Sequence, residues 1–252
     1  MTAGLGGAPT RQWLAGTVLA ALVLSSAACQ GLFREYEYEE ELYLKVDGSA
    51  TVVVNTSLPA LTALRGARNF DTGDGVDRDA VAAFFESPVS HVTRVSRPWT
   101  RYGRRFVQVR VETGDVRTLG KAPAFAWSTY AFTPHGDTVT FVQTMGAPTP
   151  LAGSTPPVWQ GNEVAAIRLH VPAKIQFHNA PSKKVERGNI VSWEQPLTDR
   201  LAGQPIKVEV RMERESILAW TLTIFGSAAA AAAALFIVVI WWVRRKGRDG
   251  AA

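Results

Sequence analysis

From Tyr36 to Val46 the chain alternates: Tyr36, Tyr38, Leu42, Leu44 and Val46 fall on one face, and Glu37, Glu39, Glu41 and Lys45 on the other. A period of two with one wet face predicts an amphipathic strand. Asp47-Gly48 supplies a tight hairpin turn, and the β-branched stretch Ala50 to Thr56 returns as the partner strand. The acidic tract Glu39-Glu40-Glu41 is then expected on the solvent face of this strand.

The period lengthens next. Leu58 to Ala67 and Asp77 to Ser87 read as helices, the second capped by Asp77, striped by Val81, Phe84 and Phe85, and ended by Pro88. Between them, Asp71 to Gly75 has the residues of a calcium loop without the ligand spacing of an EF-hand, and is read as a plain loop. Alternation resumes in His91 to Arg97, Arg105 to Glu112, Phe125 to Thr133 and Asp137 to Thr144, with hairpin turns at Tyr102-Gly103 and His135-Gly136-Asp137. After the Pro-rich stretch from Ala147 to Gly161 come three more strands, Val164 to Val171, Asn189 to Glu194 and Ile206 to Met212. The expected fold is α+β, a single antiparallel twisted sheet with helices on one face, plus one C-terminal transmembrane helix.

Ile217 to Val243 carries no charged residue and is long enough, at about 1.5 Å per residue, to cross roughly 30 Å of hydrocarbon. Trp220, Trp241 and Trp242 stand where interfacial aromatics belong. Arg244, Arg245, Lys246 and Arg248 follow at once and mark the cytoplasmic side. At the other end, Arg11 precedes an apolar run from Trp13 to Ala28, the layout of a secretory signal. The junction Ser25-Ser26-Ala27-Ala28-Cys29 leaves three fates open: lipidation of Cys29, ordinary cleavage at a small-x-small site, or retention as a second anchor. Ser26 stands where a lipobox usually has Leu, which suits ordinary cleavage; lipidation would tether the domain at both ends. The layout is therefore a signal over 1–29, an extracytoplasmic domain over 30–216, a membrane helix over 217–243 and a basic tail over 244–252.

Charge changes meaning once it is located. The whole chain is basic, with a net charge of +5, yet from Gln30 to Ser216 there are 22 Lys and Arg against 21 Asp and Glu. The excess marks topology, and no nucleic-acid partner is expected. Cys29 is the only cysteine, so the domain has neither disulfides nor a cysteine metal site. His170 and His178 lack a third ligand, and no nucleophile elbow, Ser-x-x-Lys or phosphate loop is present. No catalytic residue, cofactor or metal is called for, and the chain is not expected to be an enzyme.

Two clusters carry binding hypotheses. Arg97, Trp99, Arg101, Tyr102, Arg104 and Arg105 surround one hairpin; guanidinium forks beside aromatic faces suit anionic headgroups, and a solvated hairpin uses the same residues. Phe125, Trp127, Tyr130, Phe132 and Phe141, with Trp159 on the neighbouring loop, would line an apolar pocket for an acyl chain or simply form core.

An export signal, an Asp47-Gly48-Ser49 turn, a helical insertion, the segment Gly188-Asn189-Ile190-Val191-Ser192-Trp193 and a terminal membrane helix with a basic tail together resemble the LppM-like bacterial envelope proteins. The resemblance implies an α+β extracytoplasmic domain with a hydrophobic cavity and a role in handling lipids or lipoglycans. With the apolar run and its basic flank, the expected location is the bacterial cytoplasmic membrane, single-pass, with the N-terminal domain extracytoplasmic and the C-terminus cytoplasmic. The expected partners are membrane lipids. The alternative is a non-catalytic interaction or scaffold subunit with a membrane-protein partner.

Overall fold

The structure is a computed structural model that describes residues 34–68, 70–150, 158–215 and 217–249. The signal segment and Cys29 lie outside the described residues.

The amphipathic strand forms as β1 (Glu35–Leu44) and turns at Asp47-Gly48 into β2 (Ala50–Ser57), with Leu44 opposite Ala50. Gly48 takes φ +86°, and a Cβ there would meet the Phe132 ring at 3.2 Å, so both conformation and space call for glycine. Ser57 caps α1 (Leu58–Arg65), its hydroxyl accepting from the Ala60 N–H, and Gly66 closes it in the left-handed region. Asp77 caps α2 (Arg78–Phe85) in the same way. Then follow β3 (His91–Val95), β4 (Trp99–Arg101), β5 (Arg104–Thr113), two 3-10 turns (Val116–Lys121 and Pro123–Phe125), β6 (Ser128–His135), β7 (Thr138–Met145), β8 (Glu163–His170), β9 (Ile175–His178), β10 (Ile190–Pro196), α3 (Leu197–Leu201), β11 (Ile206–Glu213) and α4 (Ile217–Asp249).

The class is α+β, but the strands divide into two sheets. The larger runs β10-β8-β1-β2-β5-β3 with β4 also on β5, and the smaller runs β6-β7-β11-β9. The larger is mixed, because β8 lies parallel to β1. A single antiparallel meander could be read from local hairpins alone. The parallel pairing joins strands more than a hundred residues apart, and local patterning carries no record of it.

Inward positions of the large sheet, among them Tyr38, Leu42, Val52, Val54, Val109, Val111, Ile167 and Leu169, form one continuous core with α1, α2, the 3-10 turns and the inner face of the small sheet. Among the described residues, none of that core comes from α4. The domain buries its apolar surface without the terminal helix.

Strand direction fixes the two ends of the domain. The β1–β2 turn, the β6–β7 hairpin at His135-Gly136-Asp137 and the turn after β8 sit together at the end where β11 finishes: the Glu213 N–H bonds the Lys174 carbonyl and the Arg214 N–H the Asp137 carbonyl. The Tyr102-Gly103 hairpin lies at the other end, beside the start of β1 and the end of β2.

Candidate functional site

β1 contributes the least expected residue of the site. Its apolar series Tyr38, Leu42, Leu44 includes position 40, so Glu40 points inward and is wholly buried. The expectation of a solvent-facing acidic tract is therefore corrected. Only Glu39 and Glu41 follow the outer face, where they reach Arg168 (3.1 Å) and His170 (3.5 Å). Glu37 is buried as well, next to a register shift between β1 and β8 that interrupts the alternation.

Around Glu40 the fold assembles a polar cluster inside the core. Its carboxylate accepts from the Tyr38 hydroxyl (2.9 Å) and the Gln143 amide (2.8 Å), with the Tyr130 hydroxyl at 3.5 Å. Helical spacing puts Arg65 on the stripe of Leu58 and Leu61, so the last turn of α1 delivers its guanidinium to the same place, 3.7 Å from Glu40 and 2% exposed. That distance makes an ion pair, not a hydrogen bond. The Arg65 guanidinium lies 3.9 Å from the centroid of the Trp127 ring, 5.3 Å from that of Tyr38 and 5.4 Å from that of Phe125. Arg200 of α3, also fully buried, stands 5.0 Å from the same Trp127 ring and donates to the carbonyls of Gln204 and Gly146.

Burial dominates the titration here. It drives the Tyr38 phenol well above its usual range, Glu40 adding to the effect and Arg65 opposing it. Burial and then Glu40 do the same to Tyr130. Both phenols stay neutral donors. Burial lowers Arg200, with Tyr38 opposing and the like charge of Arg65 adding; a guanidinium nonetheless keeps its proton in any protein setting. The cluster thus offers two cations, one carboxylate, two phenols and an amide, enclosed by aromatic faces. Among the described residues, no group of three or more His, Cys, Asp and Glu side chains could hold a metal ion.

The structure gathers only part of each cluster read from the sequence. Phe125, Trp127 and Tyr130 surround the Glu40–Arg65 pair. Phe132 and Phe141 face each other across β6 and β7, toward the Gly48 end. Trp159 stands apart, 5.0 Å from the guanidinium of Arg104. In the arginine hairpin, Arg104 is committed to Glu37 (2.8 Å), Glu163 (3.1 Å) and Glu35 (3.4 Å). Arg105 holds Asp71 (2.6 Å) and the carbonyls of Gly73 and Gly75, fastening that loop to β5. Trp99 stacks on Phe106, Arg101 stacks on Tyr102 and bonds its hydroxyl, and Arg97 is exposed.

No family model matches the chain, and no curated protein matches it. Among solved structures it is similar to the NMR structure of the folded domain of LppM from Mycobacterium tuberculosis, at 12% identity and a TM-score of 0.41, over 72% of this chain and 92% of that one.

Sequence inspection put Glu40 on the wrong face and passed over Arg65, Gln143 and Arg200. Two of them carried a signal in the pattern. Glu40 sits in phase with Tyr38 and Leu42, and Arg65 follows Leu58 and Leu61 at helical spacing, so each is a charge on an apolar stripe. Gln143 also lies in phase, two residues from Phe141, but an amide on a strand is a weak mark. Arg200, on a five-residue helix, had none.

Proposed function

We propose that this chain is a membrane-anchored binding domain that contacts lipid or an envelope glycolipid, without catalysis of its own. The observation that carries this reading is α4. Its segment Thr221–Trp241 has a mean hydropathy of 2.3 and is not buried in the domain, leaving large apolar side chains such as Phe225 at 70% exposure and Leu235 at 68%. Apolar surface on that scale needs a hydrocarbon solvent or a protein cover.

β11 ends at Glu213 and α4 begins at Ile217, a gap of four peptide steps of at most about 3.5 Å each. A domain tied that closely presents its β11 end to the bilayer. Lys45, Lys174, Arg187 and Arg214 occupy that end, with Asp47, Asp137 and Glu213 among them. The Arg101-Tyr102 hairpin, a strand length of roughly 30 Å away, then faces outward. In this reading it meets envelope material above the membrane rather than the headgroups at its foot.

The test is extraction and mass spectrometry of the domain over 34–215, whose core is complete without α4. Retention of an amphiphile at near one-to-one ratio supports lipid binding. A lipid-free domain, together with one specific protein cross-linked to the full chain in membranes, would instead make this an interaction subunit.

A further inference from the structure

The charges and donors around Trp127 do not balance. Two guanidinium groups, Arg65 and Arg200, are buried there against one carboxylate, Glu40, leaving one surplus positive charge. Hydrogen bonding is lopsided in the same sense. Among the described residues, Arg65 Nε, Nη1 and Nη2, Arg200 Nε and Trp127 Nε1 are buried donors without a hydrogen-bond partner, whereas the unmatched groups that could accept are Gln143 Oε1 and the Ser128 hydroxyl, fewer than the donors. A packed core normally satisfies its buried donors, and an unpaired buried charge is among the costliest features a fold can carry. The Arg104 centre in the same domain shows that this chain can balance a guanidinium with carboxylates.

From this imbalance we infer that the Arg65–Arg200–Trp127 cluster is a binding site for a phosphate-type oxyanion. Such a group supplies what is missing: negative charge, and several acceptor oxygens for guanidinium forks and an indole N–H. Gly146 to Thr149 passes beside the cluster, pinned by Arg200 on the Gly146 carbonyl and by the Thr149 N–H on the Leu64 carbonyl, so a ligand would enter by displacing that stretch. The oxyanion can be free phosphate or the headgroup of a lipid. The second source rests on the binding function proposed above, and the first does not.

The experiment uses the full chain in an uncharged, phosphate-free detergent at constant ionic strength. Thermal unfolding and calorimetric titration are followed with sodium phosphate in one arm and with dihexanoyl-phosphatidylglycerol in the other, dihexanoylglycerol being the phosphate-free control. A saturable rise in Tm with either phosphate compound, and none with the control, is expected. Response to free phosphate alone supports the site while leaving lipid binding to its own test; response to the phospholipid supports both. Arg65→Met should weaken the affinity by about tenfold to a hundredfold, the range for losing charge-assisted hydrogen bonds. Should that variant not fold, Glu40→Gln carries the test, since removal of the competing carboxylate should enlarge the Tm response. A wild-type Tm unmoved by both phosphate compounds, a full response in Arg65→Met, or a response in Glu40→Gln no larger than in wild type would overturn the proposal.

Discussion

Two arginine centres, a partly buried one at the start of β1 and a buried one between the sheets, solve opposite problems. Arg104 is a single cation among three carboxylates, and its polar contacts are dense: Glu37 at 2.8 Å, Glu163 at 3.1 Å and Glu35 at 3.4 Å, with Glu163 also accepting from the Gln160 and Gly161 N–H groups. Arg65 and Arg200 are two cations sharing one carboxylate, and the Arg65 guanidinium makes no hydrogen bond to any described residue. The first centre ties together the start of β1, the start of β5 and the start of β8. It has the marks of a structural clasp. The second is held by aromatic faces, one long ion pair and the bonds from Arg200 to the Gln204 and Gly146 carbonyls, which leaves the Arg65 donors and Arg200 Nε available. Surplus carboxylate can be relieved by taking up a proton, whereas surplus guanidinium cannot shed one. An excess of buried arginine is therefore the more telling imbalance.

The contrast can be broken most forcefully at Glu40. Glu40→Gln removes the only negative charge that, among the described residues, faces two buried guanidinium groups, and should cost about 3–5 kcal/mol in urea unfolding, unless phosphate is added. Arg104→Met should cost about 3 kcal/mol at neutral pH, because it strands Glu37 and Glu163, both buried.

The pH dependence of that second loss has a definite sign. Burial works against ionisation of Glu163 in the wild type, but the Gln160 and Gly161 N–H groups and Arg104 outweigh it and hold the carboxyl below its ordinary value of 4.5. A depressed folded pKa contributes stability above the unfolded value and loses it as pH falls through the folded one. Glu37 is shifted the other way, by burial ahead of the opposing Ser57 and Arg104, so its effect is to destabilise as pH rises through its folded pKa. With Arg104 gone the Glu37 effect dominates. The variant's deficit should shrink on acidification from pH 7 to pH 5, measured as the difference in urea midpoint between variant and wild type. A deficit constant over that range would show that Arg104 acts through packing alone.

A smaller effect comes from pairing the changes. If Glu40 and Arg65 are coupled, Glu40→Gln with Arg65→Met should recover about 1–2 kcal/mol relative to the sum of the single losses in a double-mutant cycle. Additive losses would mean that 3.7 Å is too far for the pair to matter. Smallest of all, Arg105→Ser should cost no more than about 1 kcal/mol, since Arg105 and Asp71 are both partly exposed. It should still speed hydrogen exchange at the Gly73 and Gly75 amides, whose loop Arg105 holds by two carbonyls.

Much of the fold was legible because it is written in short-range periodicity. β1, β2, the Asp47-Gly48 turn, both capped helices and β11 all formed within a few residues of where alternation and capping place them. Short elements were not: β4 has three residues, β9 four and α3 five, too few to establish a period. The candidate sites were legible only in part. Six aromatics at strand spacing suggest a common lining, yet Trp127 and Phe132 lie toward different ends of β6, and Trp159 belongs to the Arg104 centre. Four arginines around one hairpin suggest a cationic patch, yet Arg104 and Arg105 are spent on partners 30 to 70 residues away in sequence.

By itself, the sequence determined what depends on local order and composition: strand and helix types, the hairpins, the uncharged 217–243 run and the near balance of charge from Gln30 to Ser216. Only the tertiary structure decided how the strands divide between two sheets, that β8 joins β1 in parallel, and that Glu40, Arg65 and Arg200 meet around Trp127. The physical reason is range. Periodicity reports which face of an element is buried, but the partner that a buried charge finds is set by chain segments brought together from across the fold, and charge balance in the core exists only after they meet.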